Sequence, residues 1–268
     1  MSETQPQGLS PQGLPAGERL RRFKAVPLRL LIPNLITLLA LCLGLTAIRF
    51  AIEGAIEWAV SAIAAAAVLD GLDGRIARAL KGTSRFGAEL DSLADFVDFG
   101  VAPGIVLYLS GLDQMKSLGW LATLVFSIAC ALRLARFNVT LDGPELPAWR
   151  KNFFVGMPAP AGAVVGLLPV YLRFLLSPGG AEPRFVGLEI VYVLGVALLM
   201  ASRVPHFSGK SIGRVRHDYV VPVLIGSAAA LLLIVNFPIQ SLIALSLAYL
   251  ATIPFSIRQY ARLQRENS

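Results

Sequence analysis

The chain has 268 residues, 55% of them hydrophobic and 15% charged, with a mean hydropathy of +0.66. A soluble domain is about a quarter charged and needs a polar surface to cover its core, so this composition excludes a disordered chain and argues against a soluble enzyme. A formal charge of +7 would suggest nucleic acid in a soluble protein. In an integral helical membrane protein it reports topology and contact with anionic headgroups instead, and no nucleic-acid partner is expected.

In chain order, residues 1 to about 18 are rich in Gln, Gly, Pro and Ser and read as disordered. Arg19, Arg21, Arg22, Lys24 and Arg29 follow, so 1–27 is predicted to be a disordered, basic cytoplasmic tail. The polar head and the first apolar run are both too long for a cleaved signal peptide, and none is expected. On a ruler of about 20 apolar residues per crossing, eight spans are predicted. They are 31–52, 57–81, 86–110, 117–139, 157–178, 186–204, 218–236 and 239–257. Aspartates interrupt the second and third. The tight Asn236-Phe237-Pro238 turn predicts an antiparallel hairpin for the last two. The expected fold is therefore an all-α polytopic membrane protein of about eight transmembrane helices in one domain.

Basic residues support an even number of spans. With the N-terminus cytoplasmic, 20 of the 24 Lys and Arg fall at cytoplasmic ends, leaving Arg49, Lys116, Arg173 and Arg184 outside. A wrong span count would scramble that bias, so both termini are expected on the cytoplasmic side of the cell (inner) membrane. Cys42 and Cys130 lie in apolar runs and read as small core residues without a disulfide.

Five of the eight aspartates fall between positions 70 and 98: Asp70, Asp73, Asp91, Asp95 and Asp98. Ionisable groups in membrane helices each cost roughly 2.5–3.5 kcal/mol on insertion scales and mark functional sites. Clustered carboxylates must either share protons or bind cations. Spacing favours cations. Asp70 and Asp73 share one helical face, and Asp91, Asp95 and Asp98 share another. The short Lys81–Arg85 connection lays the two helices antiparallel, with acidic faces able to meet. Such a hard-oxygen set suits Mg²⁺ or Mn²⁺, conceivably two ions, with substrate phosphates as further ligands. Gly74 and Ala77 leave room for a nucleotide, and Arg78 can fork onto phosphate oxygens.

The pattern Asp70-x2-Asp73-Gly74-x2-Ala77-Arg78-x8-Gly87-x3-Asp91-x3-Asp95 resembles, without a departure, the signature of the CDP-alcohol phosphotransferases. Its eight defining residues span 26 positions. The resemblance implies a six-helix core over 28–205, usually homodimeric, that transfers a phosphatidyl group from CDP-diacylglycerol to an alcohol and releases CMP. The two helices of 206–257 and a cytoplasmic tail of 258–268 lie outside that core. Carried over, Asp70, Asp73 and Asp91 look like metal ligands, and Asp95 like both a ligand of a second ion and the general base. Asp70, Gly74, Ala77, Arg78 and Gly87 look like the nucleotide-binding set. Pro33-Asn34-Leu35-Ile36-Thr37 resembles the family's opening helix and is expected to face the nucleotide.

The acceptor side is carried by 132–139, 156–161 and 202–210, and by Asp91-Ser92-Leu93-Ala94-Asp95 followed by Phe99-Gly100-Val101-Ala102-Pro103. These resemble the family's serine-using branch and imply L-serine as acceptor. Asp98 departs from the small polar residue expected there. Arg133, Arg136, Asn138 and Lys210 are candidates for the acceptor carboxylate or a lipid phosphate. His206 and His217 are assigned no chemistry. Glycerol 3-phosphate or an inositol compound is the alternative acceptor. A cation-coupled transporter is the alternative class, and it would spread acids through several spans and show an internal repeat.

Overall fold

The computed structural model describes residues 28–80, 82, 84–141, 147, 149–150, 153–176, 183–207, 226 and 232–266. Helices α1 (Leu28–Ile52) and α2 (Ile56–Ala79) pair along their length across a three-residue turn. Gly54 in that turn has φ of +79°, a conformation that penalises any residue with a Cβ. Buried Ala47, Ala51, Ala59 and Ala62 let the two backbones approach closely.

Helix α3 (Arg85–Phe96) continues through a π turn at Val97–Val101 into α4 (Ala102–Ser110). The predicted third span is thus present but is not uniform α-helix. Pro103 explains the change: it has no N–H to offer the carbonyl four residues back, and its ring crowds that carbonyl. The chain widens by one residue, with Ala102 N–H donating to Val97 O. Helix α1 packs against α3, the π turn and α4 as well as α2.

A 3₁₀ turn (Leu112–Met115) leads to α5 (Ser117–Leu141). The predicted fifth span is broken into α6 (Ala159–Gly166) and α7 (Leu168–Leu176). Pro169 causes this break in the same way, and it frees the Val165 carbonyl. That carbonyl accepts a 2.8 Å hydrogen bond from Tyr192 Oη of α8 (Pro183–Ala201). Partly buried Arg173 and Glu189 form an ion pair joining α7 to α8, and Arg173 also donates to Ser110 O at the end of α4.

Two segments predicted only as loops pair as short antiparallel strands: β1 (Phe153–Val155) and β2 (Pro205–Phe207), with Phe154 opposite His206. Gly156, at φ +79°, ends β1 where a Cβ would lie 2.8 Å from Met200 O. The last helix, α9 (Pro238–Glu266), runs beyond position 257 and packs on β2, α6 and α7. Of the seventh predicted span, only 226 and 232–236 are among the described residues, so its hairpin lies outside them.

Five described stretches are long and apolar enough to cross a membrane: Leu31–Ile52, Arg85–Ser110, Ser117–Thr140, Ala159–Leu176 and Pro238–Glu266. Phe185–Ala201 is a shorter apolar helix. Helix α2 forms where a span is predicted but fails the apolar criterion, since it carries Glu57, Asp70, Asp73, Arg75 and Arg78. Leu35, Leu45, Val68, Leu121, Leu188, Val191 and Leu198 are exposed. Outward leucine and valine with small buried residues inside is the pattern of helices solvated by lipid.

Candidate active site

Ser84 starts α3: its Oγ accepts a 2.9 Å hydrogen bond from Gly87 N–H, capping an otherwise orphaned donor. Ser84→Ala should lower stability by about 1 kcal/mol, read as a fall in melting temperature in detergent. The cap sets the direction of α3, and with it the direction of Asp91 and Asp95.

Asp70 from α2 and Asp91 and Asp95 from α3 each bring an oxygen to within 4.8 Å of the others. Asp70 and Asp95 are in hydrogen-bonding contact. Asp73, one turn from Asp70, is turned to α1, where its Oδ2 accepts a 2.7 Å bond from Thr37 Oγ1. A metal set read from spacing alone therefore divides: three carboxylates converge, and the fourth is held by a hydroxyl. Three clustered carboxylates have the hard-oxygen donors that fit a small divalent cation.

Beside this cluster lies a cavity of about 400 Å³. Asp73 and Asp91 line it, whereas Asp70 and Asp95 do not. Helix α1 contributes Pro33, Asn34 and Thr37, α2 contributes Gly74, Ala77 and Arg78, and the α3 start contributes Ser84 and Gly87. The structure thus brings together the whole small-residue and arginine set singled out from the sequence. The two glycines differ in kind. A Cβ on Gly87 would lie 2.8 Å from Asn34 Oδ1, so packing alone demands glycine there. A Cβ on Gly74 would meet nothing nearer than Arg78 Nη1 at 3.6 Å, so its missing side chain leaves open cavity.

The acceptor-side candidates separate. Arg133, on α5, interacts electrostatically with Asp95 and Asp70 and lies over the Phe137 ring at 5.5 Å. Arg136 Nη1 donates to Ser202 O at 2.9 Å, tying α5 to the end of α8. Asn138 Nδ2 donates to Ser92 Oγ at 2.9 Å, bracing α5 against α3. Lys210 and His217 lie outside the described residues. Asp98, in the π turn, is buried against Gly44, and its Oδ1 has no hydrogen-bond partner among the described residues. Sequence reasoning missed the environment of His206: its ring is buried and stacked on Tyr249 of α9.

Apolar spans with outward leucine and valine, around a half-buried acidic cluster that fits a divalent cation, define an integral membrane protein with an ionisable centre. This chain belongs to the CDP-alcohol phosphatidyltransferase family, which residues 30–204 match. Among similar proteins is a Mycobacterium leprae CDP-diacylglycerol–serine O-phosphatidyltransferase, 44% identical over 89% of this chain and 78% of its own length. The Mycobacterium tuberculosis protein of the same name is 41% identical over 92% of this chain and 82% of its own. A Helicobacter pylori relative, also of that name, is 37% identical over 66% of this chain and 73% of its own.

Proposed function

We propose that this protein transfers the phosphatidyl group of CDP-diacylglycerol to the hydroxyl of L-serine, giving phosphatidylserine and CMP. The observation that carries the transfer chemistry is the junction of the Asp70–Asp91–Asp95 cluster with the cavity lined by Gly74, Ala77 and Arg78. The serine acceptor is supported by the names of relatives that align over nine-tenths of the chain.

In this reading the cytidine diphosphate sits in the cavity. Gly74 and Ala77 admit it close to α2, Gly87 shapes the opposite wall, and Arg78 pairs with its phosphate oxygens. Asp70, Asp91 and Asp95, with Asp73 beside them, would hold Mg²⁺ or Mn²⁺, as two ions. When bound, these supply Lewis acidity that neutralises diphosphate charge and stabilises departing CMP. Asp95 takes the serine hydroxyl proton as the hydroxyl oxygen attacks the phosphatidyl phosphorus. One O–P bond forms and the P–O bond to the CMP phosphate breaks.

Arg133 is the cation placed to attract the serine carboxylate, through its interaction with Asp95 and Asp70. Arg136 and Asn138 brace α5 from their bonds to Ser202 and Ser92, and Lys210 is a further candidate for a lipid or acceptor anion. The chain crosses the inner membrane eight times, six helices of 28–205 and two of 206–257, with both termini and the centre cytoplasmic. This is supported by the clustering of its basic residues. It works as a homodimer, as the family resemblance implies.

Purified protein given CDP-diacylglycerol, Mg²⁺ or Mn²⁺ and a panel of labelled alcohols should form phosphatidylserine and CMP in equal amounts, with serine and metal both required. Product from glycerol 3-phosphate or inositol phosphate without serine would overturn the acceptor. CMP release from none of them would overturn the transferase reading.

A further inference from the structure

Helix α9 is longer than one membrane crossing needs, and the excess has its own chemistry. At about 1.5 Å per residue, its 29 residues run about 43 Å, against a hydrocarbon core of about 30 Å. Positions 238–257 match that core in length and contain no Asp, Glu, Lys or Arg. The remaining 258–266 carry Arg258, Arg262 and Arg265 against a single acid, Glu266.

The three arginines share a direction. Their spacing of four and three residues puts them on one helical face, and all three are exposed. Traced back along α9, the same face carries Leu247, Ala251 and Phe255, also exposed. The opposite face fixes the helix. Ser246 is buried and donates to Val164 O at 3.2 Å, seating α9 on α6. Tyr260 packs edge-on against Phe153 of β1 with ring centres 5.4 Å apart, and its hydroxyl accepts from Arg150 Nε at 3.2 Å. A lipid-facing stripe therefore turns basic where the helix leaves hydrocarbon, and the Tyr260 and Trp149 rings, 5.5 Å apart, mark that level. The acidic centre lies at this end of the bundle. On α5, Asn138 bonds to Ser92 beside Asp91, and Arg136 bonds to Ser202 just before β2.

We propose that Arg258, Arg262 and Arg265 form a binding surface for anionic phospholipid headgroups in the leaflet that borders the acidic centre. Charge and position together select this occupant. The stripe is net positive, continues a lipid-facing apolar stripe, and sits at headgroup depth, where each added cation strengthens the attraction to anionic lipid. Arg262 pairs with Glu266 at 2.8 Å, but both side chains are exposed. A pair of that kind is worth little, so a lipid phosphate competes with it readily. The surface lies outside the segment matched by the family and is independent of which alcohol the centre uses.

The test uses full-length protein reconstituted in phosphatidylcholine vesicles with a trace of spin-labelled phosphatidylglycerol or spin-labelled phosphatidylcholine. The motionally restricted fraction of each probe gives its relative affinity for the protein. Wild type should prefer phosphatidylglycerol, and about 1 M salt, which screens charges beyond about 3 Å, should weaken that preference. Arg258→Gln, Arg262→Gln and Arg265→Gln should each lower it about two- to five-fold, and the triple variant should lose most of it. Replacement of all three by lysine should retain it, because the charge remains. Unchanged preference in the triple glutamine variant overturns the proposal, as does a preference that salt leaves unmoved. An altered oligomeric state with unaltered lipid preference also overturns it, and gives the stripe to a second copy of the chain. If the triple variant does not fold, the single changes decide by the same reading.

Discussion

Asp95→Asn is expected to lower phosphatidyl transfer by about two to four orders of magnitude, the range for loss of a general acid–base group. Nucleotide binding should hardly change. The amide has the shape of the carboxylate but cannot take a proton from the acceptor hydroxyl. Asp95 does not line the cavity assigned to the nucleotide, whereas Asp73 and Asp91 do. Turnover and equilibrium binding of CMP should therefore separate in this variant. Asp91→Ala, by contrast, removes both a cavity wall and one arm of the carboxylate triad, so it should weaken binding and turnover together. Undiminished product from Asp95→Asn would remove Asp95 as the base, and equal loss of binding and turnover would make it a ligand alone.

The centre was legible because helical spacing is a strong geometric statement. Residues three and four apart share a face, so Asp70 and Asp91 with Asp95 could be expected to meet across a short turn. Periodicity says nothing of a third helix, however, and it is α1 that draws Asp73 aside through Thr37. A hydropathy ruler counts apolar residues and ignores backbone donors. Pro103 and Pro169 were in plain view in predicted spans, yet the π turn and the α6–α7 break needed hydrogen-bond bookkeeping. Strands of three residues leave too little alternation to detect, so β1 and β2 read as loops. The Tyr249–His206 contact joins positions 43 residues apart and has no local signature at all.

Gly44→Ala is expected to be the most damaging single-methyl change on α1. Its Cβ would lie 2.0 Å from Asp98 Oδ1 and 2.9 Å from Cγ, well inside contact distance. The carboxylate is buried and cannot swing to solvent, so the π turn that carries it must move. Overpacking of this kind costs about 1–3 kcal/mol, and the displacement propagates to Asp95 one turn away. A lower melting temperature in detergent and reduced transfer should appear together. The departure at position 98 then has a partner: a carboxylate fits there because residue 44 has no side chain. Asp98→Ser, the small polar residue expected from the sequence, should restore much of what Gly44→Ala loses while being mild by itself. Neighbours in contact commonly couple by about 0.5–3 kcal/mol, so stabilities of the two single variants and the double variant measure the link directly. Gly71→Ala and Gly187→Ala are the controls: a Cβ at either meets nothing within 4 Å, and alanine in a helix should be neutral or stabilising. Strict additivity between positions 44 and 98 would separate the two residues and leave the buried carboxylate without a structural reason.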